Sequence, residues 1–427
     1  FFKQKTAYEI RNCDWSSDVC SSDLKHKAIA TAATEGAGGG GTIQVETGNL
    51  NITGGSQLTT KASSSGNAGA IKINTVSSRD LTIRFDSEKQ KDSPLSLISA
   101  KTTASGDGGL INLGSLPLAN TMKISGYGSI TAETLGSGRG GAITVNADNL
   151  NLDNNASIST RSGSDKPSDP SSPTGPAGAI AITANGPNSL HLNSGSRIDS
   201  ATSSSIPYWL DADLGHITIT SPHVSLSGGS TITAQTSGAA RGGNIRLNTP
   251  WLQQQGDKSR ITTATSGSGD GGVVALFTPT SLLSLDLGAG SGISSETSSR
   301  GNGGQIQLTN PSAALSIRGP GLLTAAASSS GDGGSISLSG STVTLDQAKV
   351  SAQTSGSGRG GAIRVNADTL ILENGGELST SSLQEPTSPL PSGPAGTIAI
   401  TANGPKDRKS TRLNSSHSSV SRMPSSA

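Results

Sequence analysis

The chain has few cysteines and few aromatic residues for its length. Aromatic side chains make up 2 % of the 427 residues, and the two cysteines are Cys13 and Cys20. Both cysteines lie near the N-terminus, so residues 25–406 contain none. The sequence of that interval therefore excludes a disulfide framework, a thiolate nucleophile and a cysteine metal site. A lack of cysteine is compatible with export from the cell.

Charged residues and long apolar runs are also scarce. The formal net charge is +1, and charged residues make up 14 % of the chain. A nucleic-acid-binding protein would show a basic face, so we predict no nucleic acid partner. No apolar run in the sequence approaches the ~20 residues of a membrane-spanning helix, so we predict no transmembrane segment.

The two ends of the chain differ from the rest. Residues 1–24 contain Phe, Tyr, Trp and Cys, which are rare elsewhere. The stretch DWSSDVCSSDL at 14–24 resembles the translation of a sequencing-library adapter, and DRKSTRLNSSH at 407–417 resembles the translation of its complementary strand. Because both ends match one oligonucleotide, we interpret residues 1–24 and 407–427 as non-native, disordered segments. Residues 25–406 are then a fragment of a longer protein.

Glycine, serine, threonine, asparagine and alanine dominate the interval 25–406, and they recur in a repeated phrase. Gly138–Asp148 (GRGGAITVNAD) returns at Gly358–Asp368 with one change, Thr144 to Arg364. The common core is a glycine pair, one residue, and then Ile-x-(Ile, Leu or Val). Its first apolar residue falls at twelve positions: Ile43, Ile71, Ile111, Ile143, Ile180, Ile217, Ile245, Val274, Ile306, Ile336, Ile363 and Ile398. Their spacing of 27 to 40 residues is typical of a repeat architecture.

Each repeat contains three short strand signals. In residues 138–163 the apolar residues alternate with polar ones in three groups: Ile143/Val145, Leu150/Leu152 and Ile158. A period of two predicts strands with one apolar face, and the Gly, Asn and Asp residues between the groups predict corners. No stretch shows the 3.6-residue period of an amphipathic helix.

A single coil of three short strands cannot bury its apolar face, so the repeats must stack, at ~4.8 Å per coil. We therefore predict an all-β fold, a right-handed parallel β-helix (β-solenoid) of about twelve coils with three short strands each. The crossover rule for parallel strands predicts the right-handed winding. Ala132, Ala234 and Ala352 are small enough for a narrow third side.

The glycine-rich phrases match two ligand-binding motifs only superficially. GSGRGG at 136–141 fits the dinucleotide fingerprint, but it precedes a strand, whereas that fingerprint follows a strand and opens a helix. We interpret these residues as turn glycines with a permissive backbone. Gly-Asp-Gly-Gly at Asp107, Asp270 and Asp332 resembles part of a calcium-binding repeat. Arginine replaces the aspartate in other coils, so we predict no metal and no cofactor.

No enzyme site stands out in the sequence. Glycoside hydrolysis needs two carboxylates flanking a cleft, and no strand carries a dense acidic pair. His26, His191, His216 and His223 show no metal or triad spacing. We predict no catalytic residues, and a carbohydrate-active β-helix enzyme stays as the alternative.

The residue before the glycine pair, here called the corner position, alternates in charge between coils. Over five coils it reads Arg241, Asp270, Asn302, Asp332 and Arg359, and earlier Asp107 is followed by Arg139. Stacking would place these residues about 4.8 Å apart. We expect Asp107/Arg139, Arg241/Asp270 and Asp332/Arg359 to adjoin and to help fix the register of the coils.

Two insertions break the repeat and provide the candidate binding site. Residues 164–176 are rich in proline, and residues 201–213 contain Tyr208 and Trp209, which with Trp251 in the following region form the only aromatic cluster of the interval. Aromatic residues on a rod can stack on sugar rings, or they can cover a small apolar core of the insertion itself. Both follow the third strand of successive coils, so we expect them to leave the same edge and touch. The candidate ligand or partner contacts are Tyr208, Trp209, Asp211 and Asp213. The alternative is that corners merely tolerate such loops.

The phrases GRGGAITVNADNLNLDNNASIST, GNAGAIKINT and LSLSGGSTITAQTSG resemble the repeats of filamentous-haemagglutinin-like exoproteins. The resemblance covers nearly all of residues 25–406. It implies a large exoprotein of a Gram-negative bacterium, secreted or held at the cell surface. It also implies export through an outer-membrane barrel by two-partner secretion, and a role as an adhesin that binds host cells or glycans. The family's N-terminal secretion domain is absent from this sequence.

From these observations we predict a non-enzymatic, rod-forming adhesin fragment. A passive structural rod, such as a surface-layer component or an autotransporter stalk, is a further alternative. The sequence does not identify the ligand.

Overall fold

The computed structural model describes residues 8–11, 21–75, 80–88, 95–114, 119–163, 175–203, 215–278, 281–382 and 393–402. All regular structure in these ranges is β-strand. The strands, in chain order, are β1 Tyr8–Arg11, β2 Ser21–Leu24, β3 Ile29–Thr34, β4 Thr42–Glu46, β5 Asn49–Ile52, β6 Gln57–Ala62, β7 Ala70–Asn74, β8 Leu81–Arg84, β9 Ser96–Thr102, β10 Leu110–Leu113, β11 Ala119–Ser125, β12 Gly128–Thr134, β13 Ala142–Asp153, β14 Ser157–Ser162, β15 Ala179–Ala184, β16 Leu190–Leu192, β17 Arg197–Thr202, β18 His216–Thr220, β19 His223–Leu226, β20 Thr231–Thr236, β21 Asn244–Asn248, β22 Trp251–Gln254, β23 Arg260–Thr265, β24 Val273–Phe277, β25 Leu283–Leu287, β26 Gly292–Thr297, β27 Gln305–Thr309, β28 Leu315–Arg318, β29 Leu322–Ala327, β30 Ser335–Ser339, β31 Thr342–Asp346, β32 Lys349–Thr354, β33 Ala362–Ala367, β34 Thr369–Glu373, β35 Glu377–Ser382 and β36 Thr397–Ala402.

The strands form three parallel faces that wind around one core. Face 1 holds the first strand of each coil, face 2 the second and face 3 the third. Face 3 is a separate sheet of twelve strands, from β3 to β35. Faces 1 and 2 form one 24-stranded sheet, because β13 runs through both and pairs with β15 on face 1 and β16 on face 2. The predicted all-β parallel solenoid with three strands per coil is confirmed.

The register follows the repeat phrase. Ile143 pairs with Ile111 in the coil before and with Ile180 in the coil after. All twelve predicted first strands are present on face 1, from β4 to β36. The handedness of the winding stays a prediction from the crossover rule.

Alternation decides which side chains fill the core. Ile143, Leu150 and Ile158 are each no more than 1 % exposed, while the residues between them face outward. Burial of such side chains stabilises a fold by ~1.5–3 kcal/mol each. The predicted third-side alanines, for example Ala132 and Ala234, are fully buried on face 3.

The repeated glycines are required by close approach between coils, which corrects the interpretation of a permissive turn. Neither Gly138 nor Gly141 has a positive φ. A Cβ on Gly141 would instead overlap the carbonyl oxygen of Gly109 in the coil before, and one on Gly138 would overlap that of Gly106. Glycine is needed here because two backbones meet with no room for a side chain.

The corner residues align in successive coils, as predicted, and their aspartate and asparagine side chains bond to the main chain of the next coil. An aspartate or asparagine Oδ1 accepts a hydrogen bond from the main-chain N–H of the next corner residue. The N···O distance is 2.8–2.9 Å in five places: Asn67 with Asp107, Asp107 with Arg139, Asp270 with Asn302, Asn302 with Asp332 and Asp332 with Arg359. We call this column of bonds the corner ladder.

After two of the corner arginines the next corner residue is a proline. An arginine side chain cannot accept a hydrogen bond, and the corner residues after Arg139 and Arg359 are Pro176 and Pro394. The Pro176 and Pro394 carbonyls still accept hydrogen bonds from the N–H groups of Gly140 and Gly360 in the coils before. Proline itself has no N–H that needs an acceptor. Asp270 follows the corner arginine Arg241 and keeps its N–H, so an arginine in the coil before permits proline at the corner without requiring it.

Residues 1–24, for which we predict disorder, include two short segments that form strands. Strand β1 pairs in parallel with β4, and β2 pairs with β5. Ser22 is buried, and Leu24 packs against the core. These segments add to the end of the stack because an open coil offers unpaired N–H and C=O groups to any chain of suitable pattern. Their adapter origin stays a prediction, and residues 407–427 lie outside the described ranges.

Candidate functional site

The four predicted contact residues, Tyr208, Trp209, Asp211 and Asp213, lie outside the described residues, and so does most of the proline-rich insertion. The stems of both insertions are described. Ser162 pairs with Thr202 where the insertions begin, and the Gly215 N–H donates to the Ala177 carbonyl where they end, at 3.2 Å. The two insertions therefore leave and rejoin the same edges one coil apart, as predicted. Contact between them stays a prediction.

Trp251, which the sequence groups with Tyr208 and Trp209, lies at a separate site in the described part of the chain. Trp251 opens strand β22 on face 2 and is 44 % exposed. In register it lies between His223 of the coil before and Ser284 of the coil after. The indole therefore stands on the outer surface of the rod, away from the insertion stems.

A short corner motif places these rings. Ser221-Pro222-His223 and Thr249-Pro250-Trp251 occupy equivalent positions 28 residues apart. The Thr249 hydroxyl donates to the Trp251 carbonyl at 2.9 Å and accepts from the Trp251 N–H at 3.3 Å. The Ser221 hydroxyl donates to the His223 carbonyl at 2.6 Å. The Ser or Thr of each motif is buried and the proline restricts the backbone. The third residue, His223 or Trp251, therefore begins the face 2 strand of its coil and points outward.

His223 and Trp251 contact each other in a tilted arrangement. Their ring centroids are 4.9 Å apart with an interplanar angle of 61°, which is a favourable edge-type geometry for aromatic rings. The contact steadies the indole while leaving much of its surface exposed.

A groove of about 220 Å³ lies beside the two rings. Its walls include Pro187, Asn188, His191, His223, Trp251 and Gln253. The groove is smaller than the ~300–1,000 Å³ of pockets for drug-sized ligands, so it suits one small ring or the side of a chain. We call it the Trp251 groove.

Polar side chains form a column next to the indole. His191, Ser225, Gln253 and Asp286 follow one another in consecutive coils. The Gln253 amide donates to the Asp286 carboxylate at 3.4 Å. Burial lowers the pKa of His191, a hydrogen bond with the Asn188 backbone opposes that change, and the charge of His223 lowers the pKa further. His191 is therefore mainly neutral at neutral pH, and because its one N–H is engaged by the Asn188 backbone it offers an acceptor to a ligand.

Two carboxylates on face 3 have perturbed acidities but do not form a pair. Burial raises the pKa of Asp199, against the Thr233 hydroxyl that donates to it and the nearby Arg161 and Arg197. Burial also raises the pKa of Glu296. Strands β17 and β26 are three steps apart in the sheet, about 14 Å, which is too far for two carboxylates to flank one glycosidic bond.

No group of three or more His, Cys, Asp or Glu residues in the described ranges could hold a metal ion. No helix there has the length and hydropathy of a membrane span.

Comparison with known proteins identifies no relative. No family model, curated protein or solved structure matches this chain.

Proposed function

We propose that this chain is part of a large, non-enzymatic bacterial exoprotein that acts as an adhesin-like rod. The observation that supports the proposal most is the uninterrupted stack of coils along one axis, with twelve parallel strands on face 3. Such a stack grows by adding coils and holds a binding surface at a distance from its base. The resemblance of its repeats to filamentous-haemagglutinin-like sequences supports the same proposal.

The outer faces fit a role in binding or spacing. The middle outward column of face 3 is Thr or Ser in every strand but one, for example at Thr59, Thr131 and Ser159, and the exception is Asp199. Uniform faces of this kind offer little to recognise, so specificity would come from the insertions and from the Trp251 groove. We propose a location outside the cell or on the outer surface of a Gram-negative bacterium, export through an outer-membrane barrel, and a host-cell or glycan receptor.

Attachment to cells tests the proposal. Beads coated with the chain are counted on epithelial monolayers, beside beads coated with the same chain after thermal unfolding. We expect the folded chain to increase bead attachment several-fold over the unfolded control. Equal attachment by both preparations would contradict an adhesin and leave the passive structural rod as the better description.

A further inference from the structure

We propose that the Trp251 groove is a carbohydrate subsite that binds one uncharged sugar ring against the indole. The inference rests on the proposed adhesin function and specifies its ligand class and its place on the rod. This site is distinct from the insertions. The groove lies on face 2, whereas the insertions leave the ends of face 3 strands and rejoin the chain before face 1 strands.

The first argument is the exposure of an aromatic ring in a chain that has almost none. Aromatics are 2 % of the sequence, yet Trp251 is 44 % exposed at the edge of a groove. Its neighbours in the same column are His223, whose ring contacts it, and the small Ser284, so the indole projects above the Ser284 side. A rigid aromatic surface that remains exposed is a stacking platform for an apolar ligand face.

The second argument is the chemistry beside the platform. A sugar ring has an apolar face of C–H groups and a rim of hydroxyls that both donate and accept hydrogen bonds. Gln253 supplies a donor and an acceptor, neutral His191 supplies a ring-nitrogen acceptor, and the Asp286 carboxylate supplies further acceptors. These groups lie two residues along the strand from the Trp251 column, on the same outward side.

The third argument selects an uncharged ligand. The Asp286 carboxylate is next to Gln253 and would repel an acidic sugar, while His191 carries no charge at neutral pH to offset it. An apolar peptide would leave the polar column without partners when it covered the groove, at a cost of desolvation. A neutral sugar can stack its apolar face on the Trp251 indole and form hydrogen bonds with the polar column through its hydroxyls.

Binding to an array of neutral mono- and oligosaccharides tests the inference, followed by saturation-transfer NMR on the sugars that bind. The variants are Trp251→Ala and, as the matched control, Phe277→Ala, which removes another exposed aromatic residue from face 1. We expect Trp251→Ala to weaken binding roughly tenfold or more and Phe277→Ala to leave it unchanged. Trp251→Phe, which keeps a ring, should retain part of the affinity.

The outcomes separate the subsite from the proposed function. Equal sugar binding by Trp251→Ala and the parent, with unchanged circular dichroism, overturns the subsite, and so does an array on which no neutral sugar binds. Binding of apolar peptides instead of sugars overturns it as well. If cell attachment persists in Trp251→Ala, the adhesin proposal survives that failure. If sugar binding depends on Trp251 but no preparation attaches to cells, the adhesin proposal fails alone.

Discussion

Asp332 provides the sharpest residue-level test of the corner ladder. Its Oδ1 accepts from the main-chain N–H of Arg359 at 2.8 Å, so the acceptor matters and the charge does not. We expect Asp332→Ala to lower the free energy of unfolding by about 1 kcal/mol and to speed hydrogen exchange at the Arg359 amide. Urea unfolding and exchange measured by NMR give the two readouts.

The control is Asp332→Asn, which removes the charge and keeps the acceptor. The ladder already uses asparagine in this role at Asn302, so this variant should behave like the parent. An Asn variant as unstable as the Ala variant would show that a charge pair with Arg359 is what stabilises the corner.

Gln254 is a polar side chain in an apolar column. It is fully buried, and neither its Oε1 nor its Nε2 has a hydrogen-bond partner among the described residues. Its neighbours in the coils before and after are Leu226 and Leu287. We expect Gln254→Leu to raise the free energy of unfolding by about 1–3 kcal/mol, because an unsatisfied buried amide is replaced by an apolar group of similar size. A urea titration measures the shift.

The adjacent residue is the matched control for that change. Gln253 points outward, so Gln253→Leu gains no burial and should not stabilise the chain. Stabilisation by both variants, or by neither, would contradict the placement of Gln254 in the core.

His191 makes stability depend on pH. Burial lowers its pKa below the usual 6.5 in the folded chain, so as the pH falls below 6.5 the unfolded chain takes up the proton first. The free energy of unfolding should therefore decrease with falling pH until the folded pKa is passed. His191→Asn should flatten this part of the curve relative to the parent, as measured by urea midpoints over a pH series. Parallel curves for the two chains would contradict the assignment.

At the scale of elements, glycines of successive corners lie too close together to leave room for a side chain. A Cβ at position 141 would overlap the Gly109 carbonyl and force the coils apart. We expect Gly141→Ala to lower the free energy of unfolding by roughly 1–3 kcal/mol or more. Gly36→Ala is the control, because nothing lies within 4 Å of a Cβ at that position. Equal effects at both positions in thermal unfolding would refute the close-approach explanation.

The same elements show how much the sequence predicts. Alternation around Ile143 and Leu150 predicted the strands and their buried faces, because a period of two places every second side chain on one side. The repetition of these strands predicted their parallel stacking, because single coils cannot bury their apolar faces. The reason for the glycines was predicted wrongly. Whether a glycine serves a positive φ or a close approach depends on the distance between coils, which the spacing of residues along one chain does not contain.

For the whole molecule, the sequence was less informative about the candidate site. The sequence predicted Tyr208 and Trp209 as ligand contacts because the insertion that contains them interrupts the repeat. The Trp251 groove is assembled from residues of successive coils, such as His191 and Gln253, whose alignment depends on the length of each corner. The signal that could have revealed it is the pair Ser-Pro-His and Thr-Pro-Trp at positions 221–223 and 249–251.

Distances along the rod test the central claim, the regular stack of coils, most directly. Spin labels at Thr59 on β6, Thr262 on β23 and Ser351 on β32 occupy one outward column of face 3, with Cys13 and Cys20 replaced by serine. Thr262 and Ser351 lie six and nine steps from Thr59 in the sheet. At ~4.8 Å per step, pulsed electron resonance should give distances of about 29 and 43 Å with narrow distributions. Distances that do not increase in proportion to the number of coils would contradict the solenoid.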